Sequence, residues 1–126
     1  MPESIQLKIN HVSIIVNNTA RALAFYSGVL ELEQCQRPDL PFPGAWLTIG
    51  EQQLHLLELP NPDAGRQGPE HGGLDRHTAF FVSNLAALKT KLDAAQIQYT
   101  LSKSGRQAIF CRDPDGNAVE LIQDPL

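Results

Sequence analysis

Cysteine is scarce in this chain. Cys35 and Cys111 are the two present, both in stretches that read as β-strand, and they form no CxxC pair. That spacing indicates no disulfide framework, and two free thiols in a cytoplasmic protein are expected. Long apolar runs are absent too. Nothing approaches the roughly 20 residues that a membrane helix needs, and Met1-Pro-Glu-Ser4 lacks the basic and apolar regions of a secretory leader. There is no basic excess: the formal net charge is −4, so the chain lacks the positive face of a general nucleic-acid binder. What remains is enough for a packed core, with 42% hydrophobic residues in 126. The expected partner is a small molecule, not nucleic acid or membrane.

The order of patterns runs twice. Lys8–Val16 alternates apolar and polar residues as a strand does. Asn18 or Thr19 can cap a helix over about 19–30, whose buried stripe is Ala22, Phe25, Tyr26 and Val29. Leu32–Gln36, Ala45–Ile49 and Gln53–Leu59 read as strands, and Pro-rich Arg37–Gly44 separates the first two. The second pass starts at the strand Arg76–Val82. Ser83 or Asn84 can cap a helix to about Gln96, with Leu85, Leu88, Leu92 and Ala95 on one face. Gln98–Ser102, Gln107–Arg112 and Ala118–Gln123 follow as strands. Asp113-Pro-Asp-Gly116 is a turn, because Pro presets φ at its second position and Gly suits its fourth.

The class this predicts is α+β: two βαβββ modules paired into a curved mixed sheet around a metal-binding cleft. Module one covers about 8–59 and module two about 75–123, within a single domain 1–126. The connector, about 60–74, holds four glycines and three prolines, which preclude a regular element. Neither module buries both faces of so small a sheet alone, so they must pair.

Three of the four histidines fall in strands. His11 lies on the first strand of module one and His77 on the first strand of module two. His55 lies on the last strand of module one and Glu120 on the last strand of module two. Position 11 to 77 is 66 residues, and 55 to 120 is 65. Equivalent positions in two copies related by a pseudo-twofold axis would aim four donors at one point. Imidazole with carboxylate suits Zn, Ni, Mn or Fe. Val119 and Leu121 point away from Glu120, so its carboxylate faces solvent or a lined cavity. His71, in the connector, is expected to be solvent-exposed. Arg76, Arg106 and Arg112 are candidate anion contacts.

Asn10-His-Val-Ser-Ile-Ile-Val16, Ala24-Phe-Tyr26 with Val29-Leu30, His77-Thr-Ala-Phe80 and above all Phe110-Cys-Arg-Asp-Pro-Asp-Gly-Asn-Ala-Val-Glu-Leu-Ile122 carry a family likeness. From about Ile9 to Ile122 the chain resembles the vicinal oxygen chelate superfamily, which includes glyoxalase I, fosfomycin-resistance thiol transferases, methylmalonyl-CoA epimerases, extradiol dioxygenases and bleomycin-binding proteins. The resemblance puts His11, His77 and Glu120 where metal-dependent members place ligands. It puts His55 where bacterial glyoxalase I has a Glu.

In glyoxalase I a ligating Glu also shuttles the substrate proton, so Glu120 is the expected catalytic base. The implied activity is a divalent-metal-dependent lyase or isomerase acting on a small oxygen-chelating substrate, such as a thiol adduct. A fosfomycin-type thiol transferase, an extradiol dioxygenase and a metal-free bleomycin-type binding protein are the alternatives. Four protein ligands leave two octahedral positions, too few for O2 and a catechol together, which ranks the dioxygenase lower. The donor set ranks the simple binder lower. The resemblance also implies a homodimer with sites shared between chains.

Overall fold

The computed structural model describes residues 3–125. The outermost ends of the expected domain, and the first two residues of the segment read for a leader, lie outside the described residues. Module one comprises β1 (His11–Val16), a helix that starts as α1 (Thr19–Leu23), and strands β2 (Glu33–Cys35), β3 (Gly44–Ile49) and β4 (Gln52–Glu58). Module two comprises β5 (His77–Val82), α2 (Leu85–Ala94), β6 (Tyr99–Leu101), β7 (Ala108–Arg112) and β8 (Ala118–Gln123). The fold is α+β, with two βαβββ modules. Each module forms its own four-stranded sheet, in the orders β1-β4-β3-β2 and β5-β8-β7-β6.

The sequence repeat is a repeat of geometry. Asn18 and Asn84 cap the two helices, their side chains accepting from the backbone N–H of Arg21 and Ala87 at 2.9 and 3.0 Å. In module one His11 pairs with Gln53 and Ser13 with His55, in parallel register. In module two His77 pairs with Ala118 and Ala79 with Glu120, also parallel. Each last-strand donor thus sits two residues beyond the partner of its first-strand histidine.

The first helix departs from the expected single run. After Leu23 it widens into a π-helical turn over Ala24–Val29, with the N–H of Leu30 donating to Phe25 O at 2.9 Å. Phe25 and Tyr26 both reach the core, 3% and 2% exposed, as their places on the helical stripe predicted. Ala22 is buried with them, and Val29 packs at the margin. On α2, Leu85, Leu88 and Leu92 are buried, but Ala95 is exposed. Ala95 is the C-cap, with φ −85° and ψ 1°, so the chain leaves the helical path where the apolar stripe would have continued.

The helix-facing sides of both modules join in one hydrophobic core, with Val16, Leu47, Leu54 and Leu56 on one side and Leu92, Ile109, Val119 and Leu121 on the other. Polar contacts lock that union. Tyr26 donates its hydroxyl to Asp113 Oδ2 at 2.7 Å. Arg21 donates to Pro114 O at 2.7 Å, and the N–H of Asn17 to Asp115 Oδ1 at 2.9 Å. Burial first, then Asp113, raises the Tyr26 pKa well above the usual phenol value, so the hydroxyl stays a donor.

The connector is pinned as well. Arg66 and Arg112 both reach Asp75, at 2.7 and 2.9 Å, and the N–H of Arg76 adds a bond at 2.8 Å. Arg112 also donates to Pro69 O and Gly116 O. A short 3₁₀ turn forms at Gly72–Leu74, where no regular element was expected. Gly72 sits close there: a Cβ would lie 3.2 Å from Ala118 Cβ and 3.3 Å from Phe110 Cβ, so both neighbours would have to give by a few tenths of an ångström.

Two outcomes follow from these locks. Tyr26→Phe removes a buried bond to a charged acceptor, so it is expected to cost about 1.5–3 kcal/mol in urea unfolding. Asp75 is held well below the usual carboxylate range, first by its hydrogen bond to Arg66, then by Arg112. A depressed folded-state pKa contributes stability above the unfolded value, roughly 3.9, and loses it as pH falls toward the folded one. Asp75→Asn should therefore lower the melting temperature at pH 7, and the gap from wild type should shrink below about pH 4. A gap independent of pH would assign the loss to packing instead.

Candidate metal centre

In a strand, residues two apart share a face, and directly paired residues share it across the ladder. His11 and Ser13 on β1 therefore lie with Gln53 and His55 on β4. His77 and Ala79 on β5 lie with Ala118 and Glu120 on β8. The core takes the other face in each sheet.

In module one the His11 and His55 rings stack, with centroids 4.1 Å apart and planes 18° apart. Trp46, paired with His55 in the ladder, stacks on its other side at 3.8 Å and 5°. His11 Nδ1 lies 2.7 Å from Asn10 Oδ1, and His55 Nε2 lies 2.8 Å from Gln53 Oε1. Those contacts commit one nitrogen of each ring as donor and leave the other with its lone pair. His55 is 7% exposed. Burial, then His11, lowers its pKa, which favours the neutral, ligating form at pH 7.

In module two the Nδ1–H of His77 donates to Asp75 O at 2.8 Å. Its Nε2 faces Glu120 Oε1 at 3.3 Å. In the neutral imidazole that nitrogen carries a lone pair, so two electron-rich atoms confront each other and a cation between them would satisfy both. Glu120 is 3% exposed, and its second oxygen accepts from Arg106 Nη2 at 3.2 Å. Phe110, the ladder partner of Glu120, packs edge-on against His77 with centroids 5.1 Å apart. Trp46 and Phe110 thus occupy equivalent places in the two modules.

The chain brings His11 to His55 and His77 to Glu120, but it does not join the pairs. Among the described residues no group of three or more His, Cys, Asp or Glu side chains is placed to hold a metal ion. The donor chemistry fits a borderline divalent cation, in two halves. A cleft of about 620 Å³ opens between β1 and the connector, lined by Ser13, Arg66, His77, Arg112 and Asn117 among others.

Of the candidate anion contacts, Arg112 is engaged with Asp75, Arg76 pairs with Asp63, and Arg106 lies on Glu120. His71 is not solvent-exposed as expected. It is half-buried, its Nδ1 2.6 Å from Thr100 Oγ1 and its ring edge-on to Phe110 at 4.9 Å, because the connector folds down onto sheet two. Sequence reading also missed Trp46, Phe110 and Asp75. Alternation from the donor strands would have found the two aromatics, since each lies directly across from a last-strand donor.

Comparison with known proteins identifies the family. Residues 8–121 match the model of the Glyoxalase/Bleomycin resistance protein/Dioxygenase superfamily. The chain is 30% identical to Glyoxylase I 4 of Arabidopsis thaliana over 119 residues, 90% of this chain and 68% of that protein. It is 28% identical to the mitochondrial methylmalonyl-CoA epimerase of Homo sapiens over 129 residues, 92% of this chain and 73% of that one. The solved lactoylglutathione lyase of Agrobacterium tumefaciens superposes with a TM-score of 0.66 at 28% identity, covering 95% of this chain and 96% of that chain. By sequence and by fold, the chain belongs to the Glyoxalase/Bleomycin resistance protein/Dioxygenase superfamily.

Proposed function

We propose that this protein is a divalent-metal-dependent lyase or isomerase of the glyoxalase type, with sites shared between the two chains of a homodimer. The observation that carries the reading is the division of donors. Each module holds one pair, and the pairs do not meet within the chain. The modules are fastened to each other through the common core and the Tyr26–Asp113 bond, so they are not free to close on one another. The strands bearing His11 and His77, β1 and β5, each form one edge of their sheet, opposite β2 and β6, and an unpaired edge is a ready docking line for another chain. A twofold axis that sets module one of one subunit against module two of its partner would bring His11 and His55 to His77 and Glu120 twice over.

A bound Zn, Ni, Mn or Fe would polarise two neighbouring substrate oxygens and stabilise the negative charge that develops. The chain's own residues supply the rest. Glu120 takes a proton from a carbon adjacent to the substrate carbonyl and returns it to the neighbouring carbon. A hemithioacetal then becomes the thioester of a hydroxy acid, with no atom gained or lost. Trp46 and Phe110 wall the donors on the two sheets and restrict water. The names of the relatives support proton-transfer chemistry of this kind, a lyase of lactoylglutathione and an epimerase among them.

Subunit exchange tests the shared site. A His11→Ala chain and a Glu120→Ala chain should each bind metal poorly alone, whereas the mixed dimer should regain one intact site and bind one ion. No recovery after verified exchange, or a monomer that binds metal fully, overturns the sharing. As homodimers, His11→Ala should deplete metal far more than His71→Ala. Glu120→Gln should cut turnover of a hemithioacetal by roughly 10²-fold or more, since an amide cannot act as base.

A further inference from the structure

Arg106 stands in an unusual place. It lies on the loop from Ser102 to Gln107 between β6 and β7, and its guanidinium rests on the one carboxylate among the four donors. The loop is organised from within. The N–H of Ser102 donates to Ala108 O at 2.9 Å, and the Ser102 and Ser104 hydroxyls meet at 2.8 Å. Ser104 Oγ accepts from both the backbone N–H and Nε of Arg106, each at 3.4 Å. That leaves Nη2 on Glu120 Oε2 at 3.2 Å, with the Arg106 side chain 58% exposed and the Glu120 side chain 4% exposed.

A buried carboxylate needs compensation, and in the free chain Arg106 supplies part of it through a single, half-solvated contact. Arg106 holds Oε2 whereas His77 faces Oε1; pairs with one exposed partner are weak, so a cation that takes both carboxylate oxygens would displace the arginine. The freed guanidinium would remain beside the site, charged at any working pH, with a planar fork of donors that matches a carboxylate or phosphate. We propose that Arg106 is a displaceable counter-ion of Glu120 which, once displaced, anchors an anionic group carried by the substrate next to its chelating oxygens. The inference rests on the metal site proposed above and narrows its substrate class to acids.

The test uses the full-length dimer and Co²⁺, read by calorimetry and by its visible spectrum. Removing the competitor should tighten Co²⁺ binding in Arg106→Gln by about two- to fivefold, given the strength of half-exposed pairs. Acetohydroxamate and succinate monohydroxamate then serve as probes, differing chiefly by one carboxylate. Wild type should favour the carboxylated probe, and Arg106→Gln should lose that preference while binding acetohydroxamate as before. Arg106→Lys, which keeps charge without the fork, should fall between. Unchanged Co²⁺ affinity in Arg106→Gln overturns the counter-ion role. A carboxylate preference equal in wild type and Arg106→Gln, or absent from wild type, overturns the anchor role. A wild-type dimer that binds no Co²⁺ overturns the metal site itself, a result distinct from the other two.

Discussion

The carboxylate of Asp113, a residue with 5% of its surface exposed, accepts four hydrogen bonds. The backbone N–H groups of Asp115 and Asn117 reach Oδ1, both at 2.9 Å. The Tyr26 hydroxyl and the Asn117 amide reach Oδ2, at 2.7 and 2.9 Å. A carboxylate taken out of water is costly unless its lone pairs are met, and here the turn that contains it meets three and module one meets the fourth. The geometry of that turn therefore depends on the position of Tyr26, and the mutual placement of the modules depends on the turn. Asn117 extends the same tie, its amide lying 3.4 Å from Ile15 O. Burial, then Asp113, pushes the neighbouring Cys111 thiol up to about 12, so it remains a neutral core residue behind the lock.

Once the modules are fixed, the placement of the donors follows from β-sheet periodicity. Each first-strand histidine and last-strand donor share a face because parallel pairing aligns them and alternation separates them by two. Repetition of one module thus places two equivalent pairs of side chains. What differs between the halves is the chemistry at the last strand. His55 is clasped between His11 and Trp46, a stack that suits a neutral ring. Glu120 lies between His77 and Arg106, and the guanidinium meets its charge.

Much of this was legible in the sequence because it depends on local rules. The succession of elements along the chain, the turn at Asp113 and the faces of His11 and His77 follow from spacing, and each cap was narrowed to two neighbours, of which Asn18 and Asn84 prove to be the caps. The π-helical turn did not follow, since the stripe of Ala22, Phe25, Tyr26 and Val29 fits an unbroken α-helix as well. His71 was misjudged because a loop rich in Gly and Pro reads as exposed, whereas Gly72 and its neighbours let the backbone settle directly on Phe110. The partnership of Tyr26 with Asp113 spans 87 residues, and that of Arg106 with Glu120 joins a loop to a strand across the sheet. Such pairings are set by packing, which periodicity does not encode.

Charge balance links these features to the proposed chemistry. Module one offers two imidazoles and no net charge, and module two offers one imidazole and one carboxylate. A joined site would therefore present a single negative charge to a dication and leave a residual positive charge. Arg106, once released from Glu120, adds another. In a site shielded by Trp46 and Phe110, uncompensated charge is poorly tolerated because the local dielectric is low. The substrate that best completes such a site carries one anionic group on arrival and develops a second charge on its chelating oxygens during reaction. A neutral ligand would leave the site overcharged, and a dianion would match it before reaction rather than during it. Catalysis requires tighter binding as charge develops, so the distribution of charge over the four donors and Arg106 favours a monoanionic acid.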